Sequence, residues 1–557
     1  MDEQTEIGKG VELLWEKNYP GWTRRKFNIP ERTVYSMLEE SAKTSPNNVA
    51  MDFYGSKTTY AELKNAVDRA AAYLSEIEIK PYDRVGLMLP NSPQFIILFF
   101  AIVKLGGIVV QANPLYTTFE LRDEFTDSTT STVIILDDFY PKIEPLYPSV
   151  IKKIIVTKVQ DYLPGMLGAL YSLSKGKNKV KIPNADHIIY FGPKSSSTKN
   201  VNEAKIEPLT MPALIQYTGG TTGTPKGALL SHQNLVSNVY QLSEWLPINM
   251  RKDRTFLSAI PFFHVYGMMT AMLIPCHLGS KMKIVPDPRD TKNVLKTIQK
   301  EKSLIFPGIP TMYHSLLRYK NSAKYNIESL ELLLSGAAPL PMEIQKEFEH
   351  RSGASLLEGY GLTEASPVVC ATPVEIEKRK AGSVGFPVSN TIVRIVDEET
   401  GTKELPIGEI GEIIVKGPQV MLGYLNNVEE TKDTVRDGWL FTGDLGIIDH
   451  EGYIHIVDRK KDLIIAGGYN VYPREVEEVL YQNPKIEDVA VVGVKDVHRG
   501  ETVKAVIVLK KGETLTNEEI TQFCTTHLAI YKVPRIIEYR ESLPRSVVGK
   551  VLKKELR

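Results

Sequence analysis

Cysteine is scarce in this chain, and charge of neither sign is in excess. The three cysteines, Cys276, Cys370 and Cys524, lie far apart in 557 residues, which excludes a disulfide framework and a cysteine metal cluster. A reducing, cytoplasmic setting is expected. The 67 basic and 67 acidic side chains cancel to a formal net charge of zero, so nucleic acid gains no long-range attraction and is not expected as a partner. Long hydrophobic runs are missing too. The most apolar, Phe95 to Val103, is broken by Lys104 and falls far short of the ~20 residues needed to cross a bilayer. The N-terminus, MDEQTEIGKGVELLWEKNYP, opens acidic without a continuous apolar stretch and does not read as a secretory signal. A soluble or peripheral protein is expected, in which any anionic ligand is held by local groups.

What is present is apolar material for more than one core, with 42% hydrophobic residues in a chain longer than one domain normally supports. From Asp83 the pattern RVGLMLP, a helical stretch from about Ser92 to Leu105, and GGIVVQANP alternates strand, helix and strand. Apolar runs bounded by Gly, Pro or Asp follow at Ser131 to Leu136, Ile154 to Thr157, Thr255 to Ala259 and Leu330 to Ser335. The expected class is α/β, with a large N-terminal domain of α/β subdomains over residues 1–460. After Gly382 the texture becomes Gly- and Pro-punctuated strands (TIVRIVDEE, GEIIVKG, GYIHIVDR), predicting a small β-rich subdomain over about 382–460. Beyond DRKKD a boundary is expected near Lys461. A small α+β C-terminal domain, 461–557, would then hold a helix at Pro473 to Leu480 and strands at Val489 to Val494 and Val503 to Leu509. KSSSTKN, Lys194 to Asn200, reads as a mobile surface loop.

The most informative segment is YTGGTTGTPKGALLSH, Tyr217 to His232, where the strand-like MPALIQY enters a loop of four glycines and four threonines. Glycines let backbone N–H groups turn toward a polyphosphate, while hydroxyls and a lysine add donors and charge. The loop is not a Walker A sequence, because no glycine directly precedes Lys226.

TGGTTGTPKG resembles the signature loop of the adenylate-forming superfamily of acyl-CoA synthetases, luciferases and peptide-synthetase adenylation domains. FFHVYG at Phe262, SGAAPL at Ser335, EGYGLTEASP at Glu358, GWLFTGDLG at Gly438, IVDRKKDLIIAGGYNVYPREVEEVL at Ile456 and LPRSVVGKVLKKEL at Leu543 follow in the family's order. The resemblance implies an ATP-dependent acid:thiol ligase that passes through an acyl-adenylate. ATP and CoA would be co-substrates and Mg²⁺ the metal. It further implies that Thr218 and Glu364 assist the metal. Gly219, Gly220, Thr221, Thr222, Gly223, Lys226 and Thr363 would contact phosphates. Glu358, Gly359, Tyr360 and Gly361 would form the adenine segment, with the Tyr360 ring stacked on the base. Gly336, Ala337 and Ala338 would line the nucleotide and acyl pockets. Asp444 would accept from the ribose hydroxyls with Arg459 assisting. His264 would orient the carboxylate, although a lone histidine between aromatic residues also reads as core. Tyr266, Gly267 and Met268 would edge the acyl channel, glycine leaving room for a chain. Lys550 would stabilise the adenylation transition state; the family's usual Lys-Thr and Ser before this Gly-Lys are replaced by Arg545, Ser546 and Val548. The C-terminal domain would be mobile, turning about Lys461 and bringing Gly467, Gly468 and Tyr469 to the CoA tunnel.

The segment from Ile456 looks especially like that of bacterial long-chain-fatty-acid:CoA ligases, which implies a long-chain fatty acid; a medium-chain or aryl acid is the alternative. Residues 161–181 place Leu163, Met166, Leu167, Leu170 and Tyr171 at helical spacing before Lys175, Lys177, Lys179 and Lys181. Two readings fit: peripheral docking on an anionic bilayer, or a packed helix followed by solvated charge.

Overall fold

The βαβ unit expected after Asp83 forms: strand Arg84–Met88 pairs in parallel with Ile108–Gln111 across the helix Pro93–Lys104. The computed structural model describes residues 14–175, 180–195, 197, 201–218, 225–496, 499–546 and 549–557. Ser92 caps the helix by accepting the Phe95 N–H, and Pro93 sits in its first turn, where its missing donor costs nothing. All 12 residues are buried, packed among strands of two sheets, and Lys104 is neutralised by Asp68 at 2.6 Å. The run too short for a membrane is therefore a core helix. Truncating Phe99 or Phe100 to Ala would cost about 3–5 kcal/mol. Among the described residues no helix is long and apolar enough to cross a membrane.

That helix separates two large, mainly parallel sheets. The eight-stranded sheet runs Gly423–Tyr424, Lys226–Ser231, Pro212–Thr218, Ile108–Gln111, Arg84–Met88, Thr132–Leu136, Lys153–Thr157 and Ile188–Tyr190. The nine-stranded sheet has Leu330–Ser335 between Leu304–Gly308 and Ser355–Gly361 near one end, so the carboxyl ends of these strands carry the SGAA and EGYG segments. Ligands of α/β sheets bind outside such ends.

A five-stranded antiparallel sheet, Ile392–Val396 to Ile454–Arg459, supplies the β-rich part. Two short segments of residues 382–460 leave it. Phe386–Pro387 joins the nine-stranded sheet, and Gly423–Tyr424 covers the free edge of Lys226–Ser231. After the single 3₁₀ turn Lys460–Asp462, a second five-stranded sheet holds Ile464–Ala466, Tyr469–Val471, Ile486–Asp496, Gly500–Leu509 and Ile536–Tyr539. Helices Pro473–Tyr481 and Asn517–His527 pack on it. Most of the expected loop at 194–200 lies outside the described residues.

Candidate nucleotide and acyl site

Strand Pro212–Thr218 returns antiparallel as Lys226–Ser231, with Thr218 opposite Lys226 and the Thr218 hydroxyl donating to the Lys226 carbonyl at 3.3 Å. The turn between them, with Gly219, Gly220, Thr221, Thr222 and Gly223, lies outside the described residues. At its exit the Lys226 ammonium pairs with Glu430 and lies 5.4 Å from the centre of the Tyr424 ring. The Tyr424 hydroxyl donates to Glu364 Oε1 at 2.7 Å. Burial, and then the neighbouring Glu364, hold this phenol far above its usual range, so it remains a donor.

The segment expected to meet adenine, 358–361, ends the strand Ser355–Gly361 and leads into the 3₁₀ turn Thr363–Ala365. Gly361 is required sterically, since a Cβ there would lie 2.0 Å from the Pro367 carbonyl oxygen; Gly359 meets only ordinary contacts. The Tyr360 hydroxyl donates to Asp444 Oδ2 at 2.7 Å, and Arg459 Nε approaches Asp444 Oδ1 at 3.2 Å. Asp444 and Arg459 face each other on adjacent antiparallel strands, and Asp444 is 4% exposed. A buried carboxylate is thereby oriented by a phenol and a guanidinium. Glu358 accepts the Leu340 N–H at 3.2 Å; burial pushes its carboxyl up to about 7, against the lowering influence of Arg474.

In the SGAA loop, a Cβ on Gly336 would lie 2.9 Å from the Tyr266 ring, and Ala337 adopts φ 68°, a left-handed conformation that costs a non-glycine residue energy. Tyr266 is fixed by donating to the Leu334 carbonyl at 2.8 Å. His264 precedes the turn Val265–Met268, and its Nε2 is sealed from solvent with no hydrogen-bond partner among the described residues. Burial lowers its pKa to about 4, so the imidazole is neutral. An orphaned buried nitrogen is costly unless something engages it, which favours the orienting reading over the core reading. The reason expected for Gly267 does not hold: a Cβ there would lie 2.1 Å from the Pro261 carbonyl oxygen, so glycine serves the backbone rather than a chain. Met268 is fully buried, and the helix continues as a π-turn over Met269–Leu273, a bulge frequent at functional sites.

A cleft of about 270 Å³ is lined by Thr442, Gly443, Arg459, Lys460 and Lys461. Lys550 belongs to its surroundings. Arg545 forms a 2.6 Å ion pair with Asp488 and donates to the Gly549 carbonyl at 2.7 Å, closing the turn that carries the lysine. Gly549 has φ 75°, and a Cβ there would lie 2.6 Å from Thr311 Oγ1, so the turn docks directly against the start of helix Pro310–Arg318. Arg545, the departure from the family pattern, thus has a structural task. Although Lys550 itself is solvent-exposed, burial by the surrounding protein, then the charge of Arg459, lower its pKa to about 7, with Lys461 adding and Asp444 and Asp462 opposing. Lys461 is lowered to about 8 by burial and Arg459.

Gly467 and Gly468, at φ 64° and 86°, form the turn between Ile464–Ala466 and Tyr469–Val471. No atom of the described residues lies within 4 Å of a Cβ on Gly468, and Tyr469 is 59% exposed, stacked on Tyr531 at 4.7 Å. The structure brings Tyr360, Asp444, Arg459, Lys461 and Lys550 together and leaves this hairpin in solvent. Tyr424, Glu430, Thr311 and Asp488 were not foreseen.

The model of the AMP-binding enzyme matches residues 38–425, and that of the AMP-binding enzyme C-terminal domain matches residues 475–550. The chain is 44% identical over 548 residues to the long-chain-fatty-acid–CoA ligase of Bacillus subtilis (strain 168), covering 97% of each. It is 35% identical over 555 residues to the ligase of the same name from Escherichia coli O6:H1, covering 98% of each. Among solved structures it is similar to ATP-bound MatB from Rhodopseudomonas palustris, at 31% identity and a TM-score of 0.81, over 95% of this chain and 98% of that one. On motif order, sheet architecture and full-length similarity, the chain belongs to the AMP-binding enzyme family.

Proposed function

We propose that this protein ligates a long-chain fatty acid to coenzyme A at the expense of ATP, through an acyl-adenylate. The observation that carries the reading is the Tyr360–Asp444–Arg459 cluster beside a cationic cleft and Lys550. Such a set suits a nucleotide whose ribose needs an acceptor and whose phosphates need cations. The long-chain preference is supported by the names of the full-length relatives.

In the first step the carboxylate oxygen attacks the α-phosphorus and the bond to pyrophosphate breaks. Asp444 accepts from the ribose, Tyr360 meets the adenine, and the ammonium of Lys550 stabilises charge developing on the α-phosphate. Neutral His264 donates toward the fatty carboxylate without adding charge. Mg²⁺ would be held by Glu364 and Thr218 together with the phosphates, where it neutralises their charge. Both are hard oxygen donors, and the Glu364 carboxylate takes one hydrogen bond, from Tyr424, among the described residues. Among those residues no group of three or more His, Cys, Asp or Glu side chains could hold a metal ion. In the second step the CoA thiolate attacks the acyl carbon and AMP leaves. Residues 461–557 act here as a mobile domain turning at Lys461, replacing Lys550 with the Gly467–Gly468–Tyr469 hairpin.

We further propose a cytoplasmic protein that touches the inner membrane face. The helix Gly165–Lys175 exposes Met166, Leu167 and Leu170, whereas Leu163 packs against the core. Lys181 is exposed beyond it, and the side chains of Lys175, Lys177 and Lys179 lie outside the described residues. The test of function is pyrophosphate release with ATP, Mg²⁺ and CoA across acids from acetate to stearate plus benzoate and coumarate. A maximum at long chains is expected. A maximum at short or aromatic acids would overturn the substrate, and no release with any acid would overturn the enzyme.

A further inference from the structure

The phosphate-loop lysine already has an anionic partner. Lys226 opens its strand, and its ammonium lies against the carboxylate of Glu430 and over the Tyr424 ring. Glu430 is held in place by a chain of local contacts. It lies in the first turn of the helix Val428–Thr434, where Asn427 Oδ1 accepts the Glu430 N–H at 3.2 Å. Thr431 Oγ1 ties the same helix to its neighbour by accepting the Tyr424 N–H at 2.8 Å. At Gly423 a Cβ would lie 2.6 Å from the Thr431 side chain, so the helix packs flush on the strand Gly423–Tyr424. That strand pairs in turn with Lys226–Ser231, Tyr424 opposite Ala228. The edge strand therefore delivers a phenol to Glu364, and the helix packed on it delivers a carboxylate to the loop lysine.

Resting on the ATP-dependent reading above, we infer that Glu430 is a placeholder for polyphosphate: it holds Lys226 in the nucleotide-free protein and surrenders it when ATP binds. A carboxylate and a phosphate oxygen compete for the same ammonium, so the lysine's contribution to ATP affinity is net of the pair it leaves. The exchange also runs backwards: as pyrophosphate departs, Glu430 recaptures the lysine and weakens product retention. Glu430 acts only through Lys226, as a positioning residue. The side chains are 18% and 38% exposed, and a pair so placed changes binding by about two- to five-fold.

The experiment is equilibrium binding of ATP with Mg²⁺ to the full chain, without fatty acid, by calorimetry. Glu430→Gln is expected to tighten ATP binding by about two- to five-fold, and the same change in a Lys226→Met background to leave affinity unaltered. Unchanged or weaker binding by Glu430→Gln, at an unaltered melting temperature, would overturn the inference. So would equal tightening in the Lys226→Met background, which would make Glu430 a general repulsive charge. Should Glu430→Gln melt early, Glu430→Asp, which keeps the charge but withdraws it by one methylene, decides: tighter binding supports the placeholder and unchanged binding overturns it. A wild-type chain that binds no ATP would instead sink the nucleotide reading on which this rests.

Discussion

Lys550 offers the sharpest test, because its surroundings set a pH at which its role must fail. Burial and the cations Arg459 and Lys461 lower it to about 7, so in the nucleotide-free protein it is charged below that pH and neutral above. In the proposed reaction the charged form is the one that stabilises the adenylation transition state. A group titrating at about 7 is about nine-tenths protonated one pH unit lower and about one-tenth one unit higher, so kcat/KM for ATP should fall about ten-fold from pH 6 to pH 8. Bound polyphosphate favours the ammonium, so the same limb in kcat should lie at higher pH. Lys550→Arg keeps a permanent charge and should flatten the kcat/KM limb. Lys461→Arg, which removes the neighbour titrating near 8, should leave it. Lys550→Ala should slow adenylation by ~10²–10³, while thioester formation from supplied acyl-adenylate is little changed. The assay is pyrophosphate release under initial-rate conditions, with ATP varied at each pH. A wild-type kcat/KM that is flat from pH 6 to 8, or a limb that survives intact in Lys550→Arg, would refute the reasoning.

Other outcomes follow from single contacts. Tyr360→Phe leaves buried Asp444 with Arg459 alone and should raise KM for ATP by about ten-fold with kcat nearly constant, as steady-state kinetics would reveal. Gly549→Ala forces a side chain onto Thr311 in an unfavourable φ region; adenylation should fall while thioester formation from supplied adenylate persists, and equal loss of both would count against the docking argument. His264→Ala should raise KM for fatty acid, and because burial sets the imidazole near pH 4, that KM in the wild type should show no histidine limb between pH 5.5 and 8. Replacing Met166 and Leu170 together by Glu should lower co-sedimentation with anionic vesicles while leaving the rate with soluble acids intact; unchanged sedimentation would favour an ordinary exposed helix.

Local pattern made much of the fold legible. The apolar run at Phe95 reads correctly as too short for a membrane, and its strand neighbours on both sides declare the βαβ unit. Asp444 and Arg459, named through the family resemblance, stand 15 positions apart in sequence, and a strand reversal sets them face to face. What escaped depends on contacts between distant segments. Tyr424 reads as part of a Gly-punctuated turn and Glu430 as one more solvated acid; only the pairing of the strand Gly423–Tyr424 with Lys226–Ser231, and the helix packed on that strand, give them partners. Gly267 was assigned to the ligand because sequence reveals a missing side chain but not that the Pro261 carbonyl occupies its place. Likewise the Arg545 substitution looks like a defect until Asp488 and the Gly549 carbonyl are seen on either side of it.

The last sheet carries the Gly467–Gly468 hairpin and abuts the Lys550 turn, through neighbouring hydrophobic clusters on the strands Ile486–Asp496 and Gly500–Leu509. Two tools mounted on one rigid handle cannot be aimed separately. In the proposed cycle the hairpin stands elsewhere while Lys550 is seated through Gly549 on Thr311, so the order of events would be set by the handle rather than by relative affinities. On that proposal a thiol arriving early would find no finished gate, and a mixed anhydride once made would not be exposed to it until the handle turned. Each turnover of the proposed cycle would then contain at least one swing and its return, and a solvent made more viscous should slow the complete cycle more than either half taken alone.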